Sequence, residues 1–164
     1  MSDRTYNVLF ICTGNSARSI LSEGLMNLLG KGRFRAYSAG SHPTGVVNRL
    51  ALAVLARHGV DSADLRSKNW DEFSQDGAPQ LDFVFTVCDK AAGEVCPVWP
   101  GQPITAHWGV PDPAACVGTE AQKLQAINDA AITLKRRIEL FLSLPLPKLD
   151  AVALKKAVQD IGTR

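Results

Sequence analysis

Hydrophobic residues along the chain form two alternating patterns, short apolar runs and longer helically spaced stripes. The runs are bounded by turn residues and have the length of buried strands, whereas the stripes repeat at intervals of three and four residues, as on one face of a helix. Gly59 follows the second stripe directly and marks its end, because glycine readily adopts the left-handed conformation that terminates helices. The predicted strands cover residues 5–12, 34–40, 81–88 and 103–108, and the predicted helices cover 19–29, 46–58, 119–143 and 149–162.

This alternation of strand and helix predicts the α/β fold class, with a four-stranded parallel sheet and helices on both faces. We assume the strand order 2-1-3-4 for this sheet. Functional sites in such sheets lie beyond the carboxyl ends of the strands. Cys12 ends the first predicted strand and Cys88 ends the third. Adjacent strands lie about 4.8 Å apart. The assumed order therefore brings these two cysteines close together at the functional edge.

Pro145 and Pro147 interrupt the chain after the long third helix. We therefore predict a main domain over residues 1–144 and a C-terminal helical extension over residues 145–164. The extension contains a weaker amphipathic helix, for which two hypotheses remain open. It either packs on the body of the protein or acts as a tail that binds a partner.

The composition is that of an ordinary globular domain, with 164 residues, 46% hydrophobic and 21% charged. A net charge of +2 is too small for a dedicated nucleic-acid-binding protein. The N-terminus lacks the pattern of a signal peptide, and no apolar run approaches the roughly 18 residues of a membrane span. We therefore predict a cytoplasmic protein that binds neither nucleic acid nor a membrane.

The chain contains four cysteines, Cys12, Cys88, Cys96 and Cys116. Structural disulfides are not expected in a cytoplasmic protein of this size. No pair has the short spacing of a zinc knuckle. Two hypotheses remain for these thiols, namely nucleophilic or redox chemistry and inert burial in the core.

The loop over residues 12–19, CTGNSARS, connects the first strand to the first helix. Gly14 and Asn15 tolerate positive φ, so the loop can curl and point successive backbone N–H groups inward at an anion. The following helix N-terminus adds partial positive charge, and Arg18 can grip a tetrahedral oxyanion with its planar fork. This field is expected to lower the pKa of Cys12 and favour its nucleophilic thiolate. In a nucleotide-binding P-loop, the glycines are followed by Lys and then Ser or Thr. The loop over residues 12–19 contains no such pair, so a P-loop is excluded.

The stretches VLFICTGNSARS, AYSAG, HGVD and HWGVPDPA resemble the low-molecular-weight tyrosine phosphatase fold over roughly residues 5–142. Thr13 after the nucleophile, with the downstream pair Cys88 and Cys96, resembles the arsenate reductase branch of that fold. This resemblance implies an arsenate reductase that joins a CX5R oxyanion loop to a thiol relay. By this resemblance the catalytic residues are Cys12, Arg18, Asp112, Cys88 and Cys96, and the substrate-binding residues are Thr13, Gly14, Asn15, Ser16, Ala17, Arg18 and Ser19.

The resemblance also gives each residue a role. Cys12 would be the nucleophile, Arg18 the oxyanion clamp and Asp112 the general acid. Ser19 would hydrogen-bond the thiolate, and Asn15 would hold the shape of the loop. Cys88 would then attack Cys12 and pass the disulfide to Cys96, while Cys116 has no part in this scheme.

The resemblance implies arsenate as substrate, with phosphate or sulfate as mimics. No cofactor is expected, and the reductant would be thioredoxin or glutaredoxin with glutathione. Cys88 and Cys96 lie one residue farther apart than in the thioredoxin-coupled reductases they resemble, which keeps both reductants open.

Some members of the branch bind potassium beside the loop. By resemblance, Asn15, Glu23 and Ser38 match ligand positions, but Asn69 occupies the place of the acidic ligand, so no metal is predicted.

Two other functions remain open. A low-molecular-weight protein tyrosine phosphatase would need only Cys12, Arg18 and Asp112, although Ala114 replaces the aromatic residue that usually follows the Asp-Pro pair. An oxyanion-binding adaptor would keep the loop without turnover and would need no nucleophile. The sequence also allows Asp112 to be an ordinary turn residue before Pro113, since Asp-Pro often starts a turn.

Overall fold

The structure, a computed structural model, describes residues 5–88, 99 and 101–164, with the backbone alone at residue 114. Its centre is one parallel sheet in the order β2-β1-β3-β4, which confirms the predicted fold class. Each strand is shorter than predicted, because the flanking residues leave the ladder to enter turns. The strands are β1 (Tyr6–Ile11), β2 (Phe34–Ala39), β3 (Phe83–Thr86) and β4 (Ile104–His107).

The helices follow the predicted stripes, with ends set by their caps. The second helix begins at Arg49 rather than at residue 46, because the Asn48 side chain accepts hydrogen bonds from the N–H groups of Leu50 and Ala51. Short 3-10 turns at Trp70–Phe73, Pro113–Ala115 and Leu146–Lys148 were not predicted. The helices are α1 (Arg18–Leu29), α2 (Arg49–Arg57), α3 (Glu120–Leu142) and α4 (Ala151–Ile161).

The core covers both faces of the central strands. Four consecutive residues of β1, Val8 to Ile11, are fully buried. Since successive side chains of a strand point to opposite faces, neither face of β1 is open to solvent. An aromatic cluster lies on the sheet, where Phe141 of α3 makes edge contacts with Phe83 and Phe85.

Helix α4 packs against the body beside β4. Its apolar stripe of Leu154, Val158 and Ile161 is buried, and the indole Nε1 of Trp108 donates to the Val158 carbonyl oxygen at 2.9 Å. The division into a domain over 1–144 and an extension over 145–164 stays a prediction. Among the described residues, no helix combines the length and apolar character needed to cross a bilayer.

Gly40, at the end of β2, allows a close approach between two backbone segments. A Cβ atom there would lie 2.4 Å from the carbonyl oxygens of both Cys12 and Thr13. Its N–H donates to the Lys68 carbonyl oxygen at 3.0 Å, so the segment cannot move aside without losing that bond. A side chain at residue 40 would therefore push against the loop that follows β1.

We expect Gly40→Ala to lower the free energy of unfolding by about 3 kcal/mol, because the added methyl group overpacks backbone atoms that cannot shift. Gly59→Ala is the matched control. Gly59 has a φ of 83° and open space around it, so only conformational strain of about 1 kcal/mol is expected. Urea unfolding of both variants measures the difference, and equal losses would contradict the close-contact explanation.

Candidate active site

Two buried thiols lie at the same edge of the sheet. In the register of β1 and β3, Ile11 is opposite Thr86, and the Val87 N–H donates to the Ile11 carbonyl oxygen at 2.9 Å. Cys12 follows directly after β1, and Cys88 lies two residues beyond β3. Their exposed fractions are 5% and 2%. The predicted neighbourhood of the two cysteines is therefore present.

The Cys88 sulfur contacts the first residues of the loop. It accepts a hydrogen bond from the Thr13 N–H at 3.4 Å and lies 3.7 Å from the Thr13 hydroxyl. It is also close enough to the Cys12 thiol to raise the pKa of that thiol. Proximity of two thiols is what an intramolecular thiol–disulfide exchange requires.

The expected lowering of the Cys12 pKa was wrong for this state of the protein. The hydrogen-bonded Cys88 thiol raises the pKa of Cys12 most, and burial raises it further. The Arg18 charge and the Gly14 N–H act in the opposite direction but do not prevail. The prediction considered the positive loop and not the second thiol, which tertiary structure places against the first.

Within the loop, the Cys12 carbonyl oxygen accepts the Asn15 N–H at 3.2 Å. The carbonyl groups of Thr13, Gly14 and Ser16 are instead directed away from the centre of the loop. They accept N–H groups from the segment over residues 42–48, which wraps around the outside of the loop. The bonds are His42 N–H to Thr13 O at 2.9 Å, Thr44 N–H to Gly14 O at 3.0 Å and Asn48 N–H to Ser16 O at 2.9 Å.

This outward direction of the carbonyl groups determines where the amide groups point. The C=O and N–H of a trans peptide point in opposite directions. The outward carbonyls of Thr13 and Ser16 therefore turn the N–H groups of Gly14 and Ala17 inward. Together with the N-terminus of α1 at Arg18, these donors form a concave site suited to an anion.

Asn15 holds the centre of the loop in an unusual conformation. Its φ is 44° and it is fully buried. Its side-chain amide donates to the Ser19 hydroxyl at 2.8 Å, and its side-chain oxygen accepts the Lys68 N–H at 2.8 Å. These two bonds tie the loop to α1 on one side and to the segment before Trp70 on the other.

Lys68 and Glu23 form a buried ion pair behind the loop. The Lys68 Nζ lies 3.7 Å from the Glu23 carboxylate, which also accepts the Ser38 hydroxyl at 2.5 Å. Burial raises the pKa of Glu23, whereas Lys68 and the Ser38 hydroxyl oppose that rise. Burial lowers the pKa of Lys68, and Glu23 opposes that fall. Each charge thus offsets part of the cost of burying the other.

The residues matched by resemblance to a potassium site surround this ion pair. Lys68, and not Asn69, lies next to Glu23, whose carboxylate also accepts the Ser38 hydroxyl. Asn69 instead caps the 3-10 turn by accepting the Asp71 N–H at 2.8 Å. Within the ranges that the structure describes, no group of three His, Cys, Asp or Glu side chains is arranged to hold a metal ion.

Arg18 and Asp112 face each other at the open side of the site. The Arg18 Nη1 donates to the Val110 carbonyl oxygen at 2.9 Å, and its Nη2 lies 3.7 Å from the Asp112 carboxylate. The Asp112 side chain is 48% exposed, whereas that of Arg18 is 15% exposed. The structure thus brings the predicted acid to the mouth of the loop, next to the predicted oxyanion clamp.

Several residues around the site were not recognised in the sequence. The Ser67 hydroxyl donates to the Gly14 carbonyl oxygen at 3.3 Å, and Lys68 acts through both its main-chain N–H and its Nζ. Val110 acts through its main-chain oxygen. Gly40 and Val110 lie within the AYSAG and HWGVPDPA stretches, whereas Ser67 and Lys68 had no recognisable sequence signal. Cys116 is half-buried and its sulfur lies 3.8 Å from the Gln122 carbonyl oxygen. Cys96 lies outside the described residues.

The profile of the low molecular weight phosphotyrosine protein phosphatase family matches residues 7–143. This chain belongs to that family. Within it, the chain is similar to bacterial arsenate reductases. That of Halalkalibacterium halodurans is 34% identical over 134 residues, 82% of this chain and 93% of the relative. That of Staphylococcus aureus strain N315 is 37% identical over 135 residues, 82% of this chain and 94% of the relative.

The fold is also similar to that of an arsenate reductase of known structure. An arsenate reductase in a phosphate-binding state superposes with a TM-score of 0.67 at 27% identity, covering 82% of this chain and 95% of that one. The family match ends close to the end of α3, so α4 lies beyond it.

We expect Cys88→Ala to lower the pKa of Cys12, because the largest contribution that raises it is removed. The rate of Cys12 alkylation by iodoacetamide, followed by peptide mass mapping over a range of pH, measures this pKa. Cys116→Ala is the control and should leave the midpoint where it is. An unchanged midpoint in Cys88→Ala would show that burial, and not the second thiol, controls the pKa of Cys12.

We expect Lys68→Met to lower the free energy of unfolding by about 3 kcal/mol, because the Glu23 carboxylate is left buried without its cation. Adding Glu23→Gln should recover part of this loss, since the uncompensated charge is then removed. Lys155→Met, at an exposed position of α4, is the control for loss of a lysine. Urea unfolding at neutral pH measures all four proteins, and a double variant less stable than Lys68→Met would contradict the ion-pair explanation.

Proposed function

We propose that this protein is an arsenate reductase that uses Cys12 as its nucleophile and Cys88 as its resolving thiol. The proximity of two buried thiols beside an oxyanion loop carries the proposal. Hydrolysis of a phosphate ester needs one nucleophile in such a loop, whereas reduction of a bound oxyanion also needs a source of two electrons. A second thiol against the first provides that source.

Arsenate binds in the loop through its tetrahedral oxyanion geometry. The inward N–H groups and the N-terminus of α1 supply hydrogen bonds and partial positive charge. The Arg18 guanidinium, 3.7 Å from Asp112 and bonded to Val110, closes the ring around the anion. The phosphate-binding state of a related arsenate reductase supports the use of phosphate, and by the same chemistry sulfate, as a mimic.

In the first step, the Cys12 thiol transfers its proton to an arsenate oxygen and the resulting thiolate attacks arsenic. Arsenate is itself the base that arrives next to this thiol, whose pKa is raised by Cys88 and by burial. An S–As bond forms, one As–O bond breaks, and the departing oxygen leaves as water with a proton from Asp112. Arsenic remains pentavalent in this adduct.

In the second step, the Cys88 thiolate attacks the Cys12 sulfur. The S–S bond forms as the S–As bond breaks, and the electron pair of the S–As bond remains on arsenic. Arsenic is reduced from the pentavalent to the trivalent state, while the two cysteines are oxidised to a disulfide. Arsenite takes up the proton from Cys88 and leaves.

In the third step, Cys96 attacks Cys88, which frees Cys12 and leaves a Cys88–Cys96 disulfide. Thioredoxin, or glutaredoxin with glutathione, then reduces that disulfide through its own thiols. Free thiols of this kind are maintained in a reducing compartment, so we propose a cytoplasmic location. The proposed domain over residues 1–144 contains every residue of this scheme.

A phosphatase activity is the second candidate function. The family to which the chain belongs is named for it, and Cys12, Arg18 and Asp112 are the three groups that it needs. Ala114 after the Asp-Pro pair offers no aromatic surface to a phenyl phosphate. We therefore propose small aryl phosphates as slow side substrates rather than phosphotyrosine proteins as the natural ones.

We expect Cys88→Ser to stop repeated arsenate turnover and to leave hydrolysis of p-nitrophenyl phosphate largely intact. A serine hydroxyl cannot accept the disulfide, whereas hydrolysis needs no second sulfur. Arsenite release and p-nitrophenol release are measured on the same preparation. Cys12→Ser is the matched control and should abolish both activities, because the hydroxyl is not ionised by this loop.

Repeated turnover by Cys88→Ser would show that external thiols resolve the Cys12 adduct directly, and the relay would then be wrong. Cys96→Ser tests the last transfer. It should complete one turnover and stall as a Cys12–Cys88 disulfide, which thiol trapping and peptide mapping detect.

A further inference from the structure

The segment that leaves β4, residues 108–112, lies between two arginines that bind neighbouring carbonyl groups. Arg18 donates to the Val110 oxygen at 2.9 Å from the side of the catalytic loop. Arg137 of α3 donates through Nη1 to the oxygens of Trp108 and Gly109, at 2.8 and 2.9 Å. Three successive carbonyl groups therefore have guanidinium partners, and Asp112 follows two residues later.

Arg137 also binds the chain beyond α4. Its Nε and Nη2 lie 3.3 and 3.2 Å from the main-chain oxygen of Arg164. The guanidinium is buried within the body, with a residue exposure of 7%. One side chain therefore connects the end of the extension to the segment over residues 108–112.

Trp108 makes a second connection between the same two parts. Its ring is fully buried and stacks on Phe85 with centroids 4.1 Å apart. Its indole N–H binds the Val158 carbonyl in α4 at 2.9 Å, while the Gly162 N–H binds Gln159 instead. The indole thus occupies an acceptor near the end of the helix, where carbonyl groups lack partners within the helix.

The end of α4 also fits closely against β4. A Cβ atom at Gly162 would lie 2.1 Å from the His107 carbonyl oxygen and 3.0 Å from the Trp108 ring. Gly162 has a φ of −63°, which any residue adopts, so close contact alone excludes a side chain there. The extension therefore packs directly against His107 and Trp108, where the segment over residues 108–112 begins.

We infer that α4 and Arg137 position the active site, by fixing residues 108–110 so that the Val110 carbonyl directs Arg18 toward the oxyanion and Asp112 stands over it. Arg137, Trp108 and the extension touch neither substrate nor reacting atoms and act through Arg18 and Asp112. The inference rests on the proposed function only for the identity of the oxyanion. It assigns the extension over residues 145–164, beyond the family match, a part in oxyanion binding.

Inorganic phosphate is the probe, because its binding reports on the loop and on Arg18 without any redox step. The dissociation constant of phosphate is measured by titration calorimetry on the reduced full chain. We expect Arg137→Met to weaken binding about tenfold, which corresponds to about 1.4 kcal/mol. Trp108→Phe keeps an aromatic ring but loses the N–H donor and part of the buried ring that stacks on Phe85, and a loss of about threefold is expected.

Arg136→Met is the matched control, because Arg136 is the exposed neighbour of Arg137 on the same helix. It should bind phosphate within about twofold of the unmodified protein, as expected for a surface substitution. Should Arg137→Met fail to fold, Trp108→Phe and Gly162→Ala carry the test, since each disturbs the same contact from a different side. Thermal unfolding of every variant is recorded in parallel.

A double-mutant cycle separates positioning from general stability. If Arg137 acts through Arg18, adding Arg137→Met to Arg18→Lys should change phosphate affinity far less than Arg137→Met does alone. Additive losses would overturn the inference. So would folded variants that melt at lower temperature but bind phosphate as the unmodified protein does.

These outcomes are distinct from a failure of the proposed function. An unmodified protein that binds phosphate and does not reduce arsenate would contradict the reductase proposal and leave this inference standing. An unmodified protein that does not bind phosphate would overturn both.

Discussion

The parallel pairing of β1 with β3 is the interaction on which the site depends, because it brings the two cysteines to one edge of the sheet. The register that sets Ile11 opposite Thr86 brings Cys12 and Cys88 out of the sheet at one edge. Neighbouring strands are separated by about one disulfide-compatible distance. Strand pairing alone therefore brings together two thiols that are far apart in the chain.

The same proximity changes the chemistry expected of the oxyanion loop. A lone cysteine among inward N–H groups and an arginine would tend to ionise, as in many nucleophilic sites. Here the Cys88 thiol and burial raise the pKa of Cys12 instead. In the proposed reduction, the second thiol is in place before the oxyanion arrives, and the bound oxyanion itself serves as the base.

Buried polar groups around the loop contribute to its definite shape. Asn15 joins the loop to Ser19 and Lys68, and Lys68 in turn faces Glu23. A buried ion pair adds little net stability, but breaking it leaves a charge without a partner and costs several kcal/mol. Alternative conformations of the loop are unfavourable because they would break these bonds. On the opposite side, Arg18 donates to the Val110 carbonyl group, next to the Trp108 and Gly109 carbonyl groups that Arg137 binds.

The sequence by itself determined the fold class, the CX5R loop and the position of two cysteines at strand ends, whereas the strand order was assumed and Asp112 was assigned by resemblance. Hydrophobic periodicity reports which face each element buries, and the position of Cys12 and Cys88 at strand ends follows from that pattern. Four aspects were decided only by tertiary structure: the direction of the Cys12 pKa, the pairing of Lys68 with Glu23, the outward bonding of the loop carbonyls and the grip of Arg137 on Trp108 and Gly109. Each depends on contacts between residues distant in the chain, often through main-chain atoms that every residue type shares. A local pattern carries no record of such contacts, because it is the packed fold that brings the partners within hydrogen-bonding distance.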